Sequence, residues 1–136
     1  MPHSYRQRLR DVLRFAVTPP AASSSSLSPP VPGDVLADLI PDLLVYIEAP
    51  ALSVSQLPNN ATVTFTLIEC ADPGLSSVIS STVLGVQTGA GGAGAGAAVF
   101  ASRPKYAGGK YLGMSIAASS GVNVSGANYA LAFALI

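Results

Sequence analysis

The chain has 136 residues, with seven basic and seven acidic side chains, one histidine and one cysteine. Charged residues make up 10% of it, well under half of the roughly 25% usual in a soluble domain. A lone cysteine excludes an intrachain disulfide. A lone histidine leaves almost nothing from which to build a zinc cluster or a hydrolytic triad.

The length suits one domain able to bury roughly two thirds of its unfolded surface. Residues 1–18 read as an arm. Leu9, Val12 and Leu13 follow helical spacing, with Phe15 just beyond. Arg6, Arg8, Arg10 and Arg14 hold four of the seven basic residues. Pro19 and Pro20 interrupt any apolar run after these arginines, so no signal peptide is expected. Residues 19–33 combine Pro19, Pro20, Pro29, Pro30 and Pro32 with serines at 23–26. That is a linker composition, extended and unable to form a core of its own. The division expected is therefore an arm and linker over residues 1–33 and a folded body over 34–136.

From residue 34 to 72 there are six acidic residues and no basic one, which complements the basic arm. Beyond Pro41 the pattern turns to strands. Residues 43–48 form the first. Leu57-Pro58-Asn59-Asn60 is a turn. Residues 62–68 alternate cleanly, Val63, Phe65 and Leu67 facing in and Thr62, Thr64 and Thr66 facing out. Asp72-Pro73-Gly74 punctuates. Residues 80–86 and 97–101 are weaker strands on either side of the glycine-rich run 89–96. Residues 111–118 place Leu112, Met114 and Ile116 on one side.

The last 26 residues carry no charge. They end in a large/small alternation: Tyr129, Leu131, Phe133 and Leu135 on one face, Ala130, Ala132 and Ala134 on the other. Two apolar faces imply a strand either central in a sandwich or covered by another subunit. Ser119, Ser120, Asn123, Ser125 and Asn128 interrupt the stretch, so no membrane span is expected. Short strands, frequent turn signals and no long core helix predict an all-β fold, an antiparallel β-sandwich or jelly roll with an extended N-terminal arm.

Candidate chemistry is sparse. His3 stands at the terminus. Asp34, Asp38 and Asp42 recur every four positions, but Pro41 breaks any helix that would align them. The run Gly89-Ala-Gly-Gly-Ala-Gly-Ala-Gly96 lacks the lysine of a phosphate loop and the following helix of a dinucleotide site. It reads as a loop or a close backbone contact. Asn60-Ala61-Thr62 and Asn123-Val124-Ser125 read as turn residues. Cys70 reads as a small buried hydrophobe. No catalytic, cofactor or metal residue is assigned, and an enzyme is not expected. The candidate partner-binding residues are those of the arm: Arg6, Arg8, Leu9, Val12, Leu13, Arg14 and Phe15. Four arginines in a neutral chain suit an acidic protein surface better than nucleic acid.

Several of these segments together resemble a known family. Arg10-Asp-Val-Leu-Arg-Phe-Ala-Val-Thr18 looks like the short N-terminal segment of capsid cement (decoration) proteins of tailed phages, of the kind found in Bordetella podophages. The low-complexity stretch after it is similar. So are the strand ending in Asp72-Pro-Gly74, the small-residue strands, the Gly/Ala-rich loop, Lys110-Tyr-Leu112 opening a late strand, and the uncharged final strand. This chain departs by its longer proline-rich linker (19–32) and its basic extension before Leu9.

The resemblance implies a jelly roll without catalysis, bound as homodimers or homotrimers to the outside of an HK97-type shell. The major capsid protein would be its partner and the virion surface its place after assembly in a bacterial cytoplasm. The arm would anchor it, so deleting residues 1–18 should leave a folded protein that binds particles poorly. The alternative is a surface-binding module, a fibre tip or carbohydrate-binding sandwich. Against it stand the absence of tryptophan and the fact that only Tyr106 and Tyr111 flank a plausible loop.

Overall fold

A computed structural model describes residues 10–32, 43–103 and 111–135. Among the described residues nine strands follow one another: β1 (Arg10–Val17), β2 (Ser25–Leu27), β3 (Val31–Pro32), β4 (Leu43–Ala49), β5 (Thr62–Cys70), β6 (Val78–Thr88), β7 (Ala98–Ser102), β8 (Tyr111–Ala118) and β9 (Tyr129–Leu135). They form two antiparallel sheets. Sheet A has the order β1-β9-β4-β7 and sheet B the order β2-β8-β5-β6, with the short β3 also paired to β8. That alternation of strands between a four-stranded and a five-stranded layer is the jelly-roll arrangement of a β-sandwich.

The core lies between the sheets and follows from period-two patterning. Val63, Phe65 and Leu67 of β5 and Leu112, Met114 and Ile116 of β8 face Leu43, Val45 and Ile47 of β4 and Leu131 and Phe133 of β9, all buried. Phe65 joins the two layers. Its ring centroid lies 5.5 Å from that of Phe100 on β7 and 5.5 Å from that of Tyr129 on β9. Gly85 on β6 leaves room for the Phe100 ring, which any Cβ there would strike. At the end of this trio the buried Gln87 donates from Nε2 to the Pro50 carbonyl at 2.9 Å, and the Tyr129 hydroxyl donates to Gln87 Oε1 at 3.3 Å. The buried polar groups are thereby paired, as they must be away from water.

β9 is central in sheet A, between β1 and β4. Its alanine face is covered as well: Ala132 and Ala134 are fully buried beside Tyr46 and Leu44. The uncharged C-terminal strand is thus enclosed by its own chain and does not by itself call for a second subunit.

The expected division at residue 33 does not hold for the described part of the arm. β1 is an edge strand of sheet A, paired with β9 from Arg10 opposite Leu135 to Val17 opposite Tyr129. Its pattern is period two, with Leu13 and Phe15 packed on the core and Val17 buried, while Arg14 and Ala16 face out. The helical spacing of Leu9, Val12 and Leu13 loses to this alternation, because a short isolated helix is marginal while β9 offers a ready partner. The serine- and proline-rich segment is also tied down. Ser25–Leu27 pairs with β8. Ser28 exchanges two hydrogen bonds with the Met114 backbone, its amide donating to the carbonyl at 2.9 Å and its Oγ accepting from the amide at 2.8 Å. Pro29, Pro30 and Pro32 then line the outer edge of sheet B, where a missing N–H costs nothing and further strands are refused.

Candidate interaction surface

Of the residues expected to form a partner contact, Arg6, Arg8 and Leu9 lie outside the described residues. Val12 occupies a β-bulge of β1, between Asp11 and Leu13. Leu13 and Phe15 spend their apolar surface on the protein's own core. Arg14 lies on the outer face of sheet A, forming an ion pair with Glu48 of β4. The two strands are not neighbours; β9 runs between them, and its small Ala130 and Ala132 allow the arginine to cross. Both side chains are more than a third exposed, so the pair adds little stability. Beside it an open cavity of about 610 Å³ is lined by Arg14, Phe15, Glu48, Pro50, Asn128 and Tyr129, among others.

The outer face of sheet B is different in kind. Register places two complete rows of side chains across β2, β8, β5 and β6. One row runs Ser25, Ala117, Thr64, Val86; the next runs Leu27, Ser115, Thr66, Val83. Strand order puts β2 at one end of each row and β6 at the other. None of the eight is charged, and Leu27, Val83 and Val86 are 46%, 60% and 41% exposed. Threonines 64 and 66 were legible as outward residues. Their companions were not, because a face made of four strands needs the register that only pairing supplies.

The far end of this face is closed by the chain itself. Leu75, in the loop after β5, is buried against Ile68 and Cys70, with Tyr111 packed beside them. It lies over Gly113 of β8, where a Cβ would collide with it. The Asp72 carboxylate organises the loop. It accepts from Ser76 Oγ at 2.7 Å and from the amides of Ser76 and Ser77 at 3.1 and 2.7 Å. The Ser76 hydroxyl bond first, then the Ser77 amide, holds its carboxyl below the ordinary value of 3.8. Burial, and secondarily the Asp72 charge, pushes the Cys70 thiol above its ordinary value, which keeps it in the unreactive protonated form.

The glycine-rich run is a backbone contact rather than a cradle. Gly94 has φ +68° and lies where any Cβ would strike the Leu52 carbonyl; Leu52 and Ala95 bridge as a strand pair. Asn59 Oδ1 accepts from the Gly92 amide at 2.9 Å. Among the described residues no group of three or more histidine, cysteine or acidic side chains is placed to hold a metal ion. No protein-family model matches the sequence, and no curated protein matches it.

Proposed function

We propose that this is a virion structural protein, a capsid cement protein that binds the outer surface of an HK97-type phage shell and strengthens contacts between capsomers. The observation that carries the reading is the outer face of sheet B: eight side chains in two rows, none charged, on a rigid jelly roll. A cement works by contact area and shape, and needs no reactive group. Small hydroxyl and aliphatic side chains on a paired sheet meet that need at low ordering cost. The resemblance of the N-terminal segment, the Asp72-Pro-Gly74 turn and the final strand to phage cement proteins supports it. Partners on this reading are the major capsid protein and further copies of the chain, as a homodimer or homotrimer, at the virion surface. No catalysis is assigned.

The test is sedimentation of purified phage particles with and without the protein, followed by heating. Co-sedimentation, with decorated particles surviving temperatures that open stripped ones, is the expected result. Stripped particles that survive equally well would overturn the cement reading and favour a receptor-binding module.

A further inference from the structure

Resting on that structural reading, we infer that the free edge of β7 receives an extended segment of the shell protein, which adds to sheet A as a further strand. Three observations point to this edge and to an extended chain as its occupant.

The first is how the sheet edges differ. A strand edge presents a row of backbone N–H and C=O groups that invites further pairing. Strand order puts β1 and β7 at the edges of sheet A, and β2 and β6 at those of sheet B. β1 carries Arg10 and Asp11, and a bulge at Val12. The β2 edge continues into Pro29, Pro30 and Pro32. β6 is bulged twice, at Ile79 and Leu84. Charges, prolines and bulges each discourage an added strand. β7 has none of them. Ala98-Val-Phe-Ala-Ser102 pairs with β4 residue by residue, without a shift. Its protection is its shortness.

The second is the core beneath this edge. Phe100 of β7 and Leu84 of β6 pack on the core yet are only partly buried. The sandwich is thus open along the flank where the Phe100 ring crosses Gly85. A strand added to β7 would lie over that gap, and apolar side chains at its inward positions would cover both residues. Among the described residues no strand does so.

The third is the chemistry of the occupant. A repeating row of backbone donors and acceptors is met in full by another extended backbone, whose alternate side chains then set specificity. Residues 73–102 carry no charge, so a charged side chain brought here would lose hydration without gaining a counter-charge. Val99, on the outward side of β7, is 62% exposed. An uncharged segment with aliphatic residues fits both sides. A second copy joined at this edge would bury little beyond two short strands, against the roughly 20–30 residues a side of a stable interface. A shell segment instead extends the contact assigned to sheet B, whose outer face ends at Val83 and Val86 of the neighbouring β6.

The experiment is amide hydrogen exchange, read at single residues by mass spectrometry, on the full chain free and bound to purified particles. In the free protein alternate amides of residues 98–102 are held by β4, and those between them exchange fast. On decorated particles the fast ones should slow roughly tenfold or more, while the free-edge amides of β1 keep their rates. Val99→Lys and Ala101→Lys each set a charge on the outward side of the strand. Both should keep the circular dichroism of the wild type and bind particles about tenfold more weakly. If one fails to fold, the other carries the test. A protein that co-sediments while its fast β7 amides stay fast overturns the proposal and leaves the cement reading standing. So do folded variants that bind like the wild type. Failure to co-sediment overturns both. Protection of these amides in the isolated protein as its concentration rises would assign the edge to a second copy, and overturns the proposal as well.

Discussion

Leu75 rests on the bare backbone of Gly113. The leucine holds φ +56°, a left-handed conformation that costs a residue with a Cβ roughly 1–2 kcal/mol. Two things offset that cost. Its side chain is buried over Ile68 and Cys70, and the Asp72 carboxylate fixes the loop through Ser76 and Ser77. The loop thereby caps one end of sheet B's outer face. A side chain at position 113 would lift the cap. Gly113→Ala is expected to lower stability by about 1–3 kcal/mol, the range for overpacking. Denaturant unfolding with an unchanged midpoint would contradict the contact.

Phe65 is the ring that joins the sheets, fully buried and in contact with Phe100 and Tyr129. Phe65→Ala is expected to cost about 3–5 kcal/mol. Thermal melting should show it as a large drop in Tm, and an unchanged Tm would remove Phe65 from the centre of the core.

Acid should loosen the Asp72 loop. Its folded pKa is depressed by the serine hydrogen bonds. Its contribution is therefore complete above the ordinary carboxylate value and is lost as pH falls through that value toward the folded one. Asp72→Asn should flatten the part of the acid-stability profile just below the ordinary value. An NMR titration placing the Asp72 carboxyl at or above the ordinary value would refute the arrangement.

Alkali acts at the other end of the core. Burial pushes the Tyr129 hydroxyl from 10.0 up to about 12. A group whose folded pKa is raised contributes fully below its unfolded value and loses that contribution as pH rises through the folded one. Stability should therefore fall between about pH 10 and 12. Tyr129→Phe should flatten that decline, and Gln87 keeps its bond to Pro50. An ultraviolet titration in which Tyr129 ionises at the ordinary value of 10.0 would disprove the burial.

Much of the body was readable from the chain. Val63, Phe65 and Leu67 against Thr62, Thr64 and Thr66 show one strand and both its faces. Leu112, Met114 and Ile116 show another. The final strand was read as central or covered by a subunit, and it is central. The N-terminal segment was harder. Leu9, Val12 and Leu13 suit a helix while Leu13, Phe15 and Val17 suit a strand, and only the presence of β9 decides between them. Three-residue β2 carries too little pattern to be seen locally. The uncharged face was visible as composition but not as a surface, because its rows combine residues as distant as Ser25 and Ala117.

Because β1 belongs to the sandwich, removing residues 1–18 should do more than detach an anchor. It strips β9 of one neighbour along its length and exposes an uncharged strand edge prone to pairing with other chains. The truncated protein should melt at lower temperature and aggregate on heating, as light scattering would show. A truncated form that melts like the full chain would mean that the β1–β9 pairing contributes nothing.

The position of β9 also constrains how the molecule is made. β1 and β4 are both synthesised well before β9, yet β1 pairs with that strand and β4 takes it as one of its two neighbours. At roughly 5–20 residues per second, β1 waits on the order of ten seconds for that strand to leave the ribosome. Sheet A therefore closes only once β9 has been translated, and its long-range pairings make folding slow for its size. During that interval the alternating rows of β4 and β5 are open to neighbouring nascent chains. Production level and growth temperature should accordingly govern soluble yield more than the stability of the finished sandwich does.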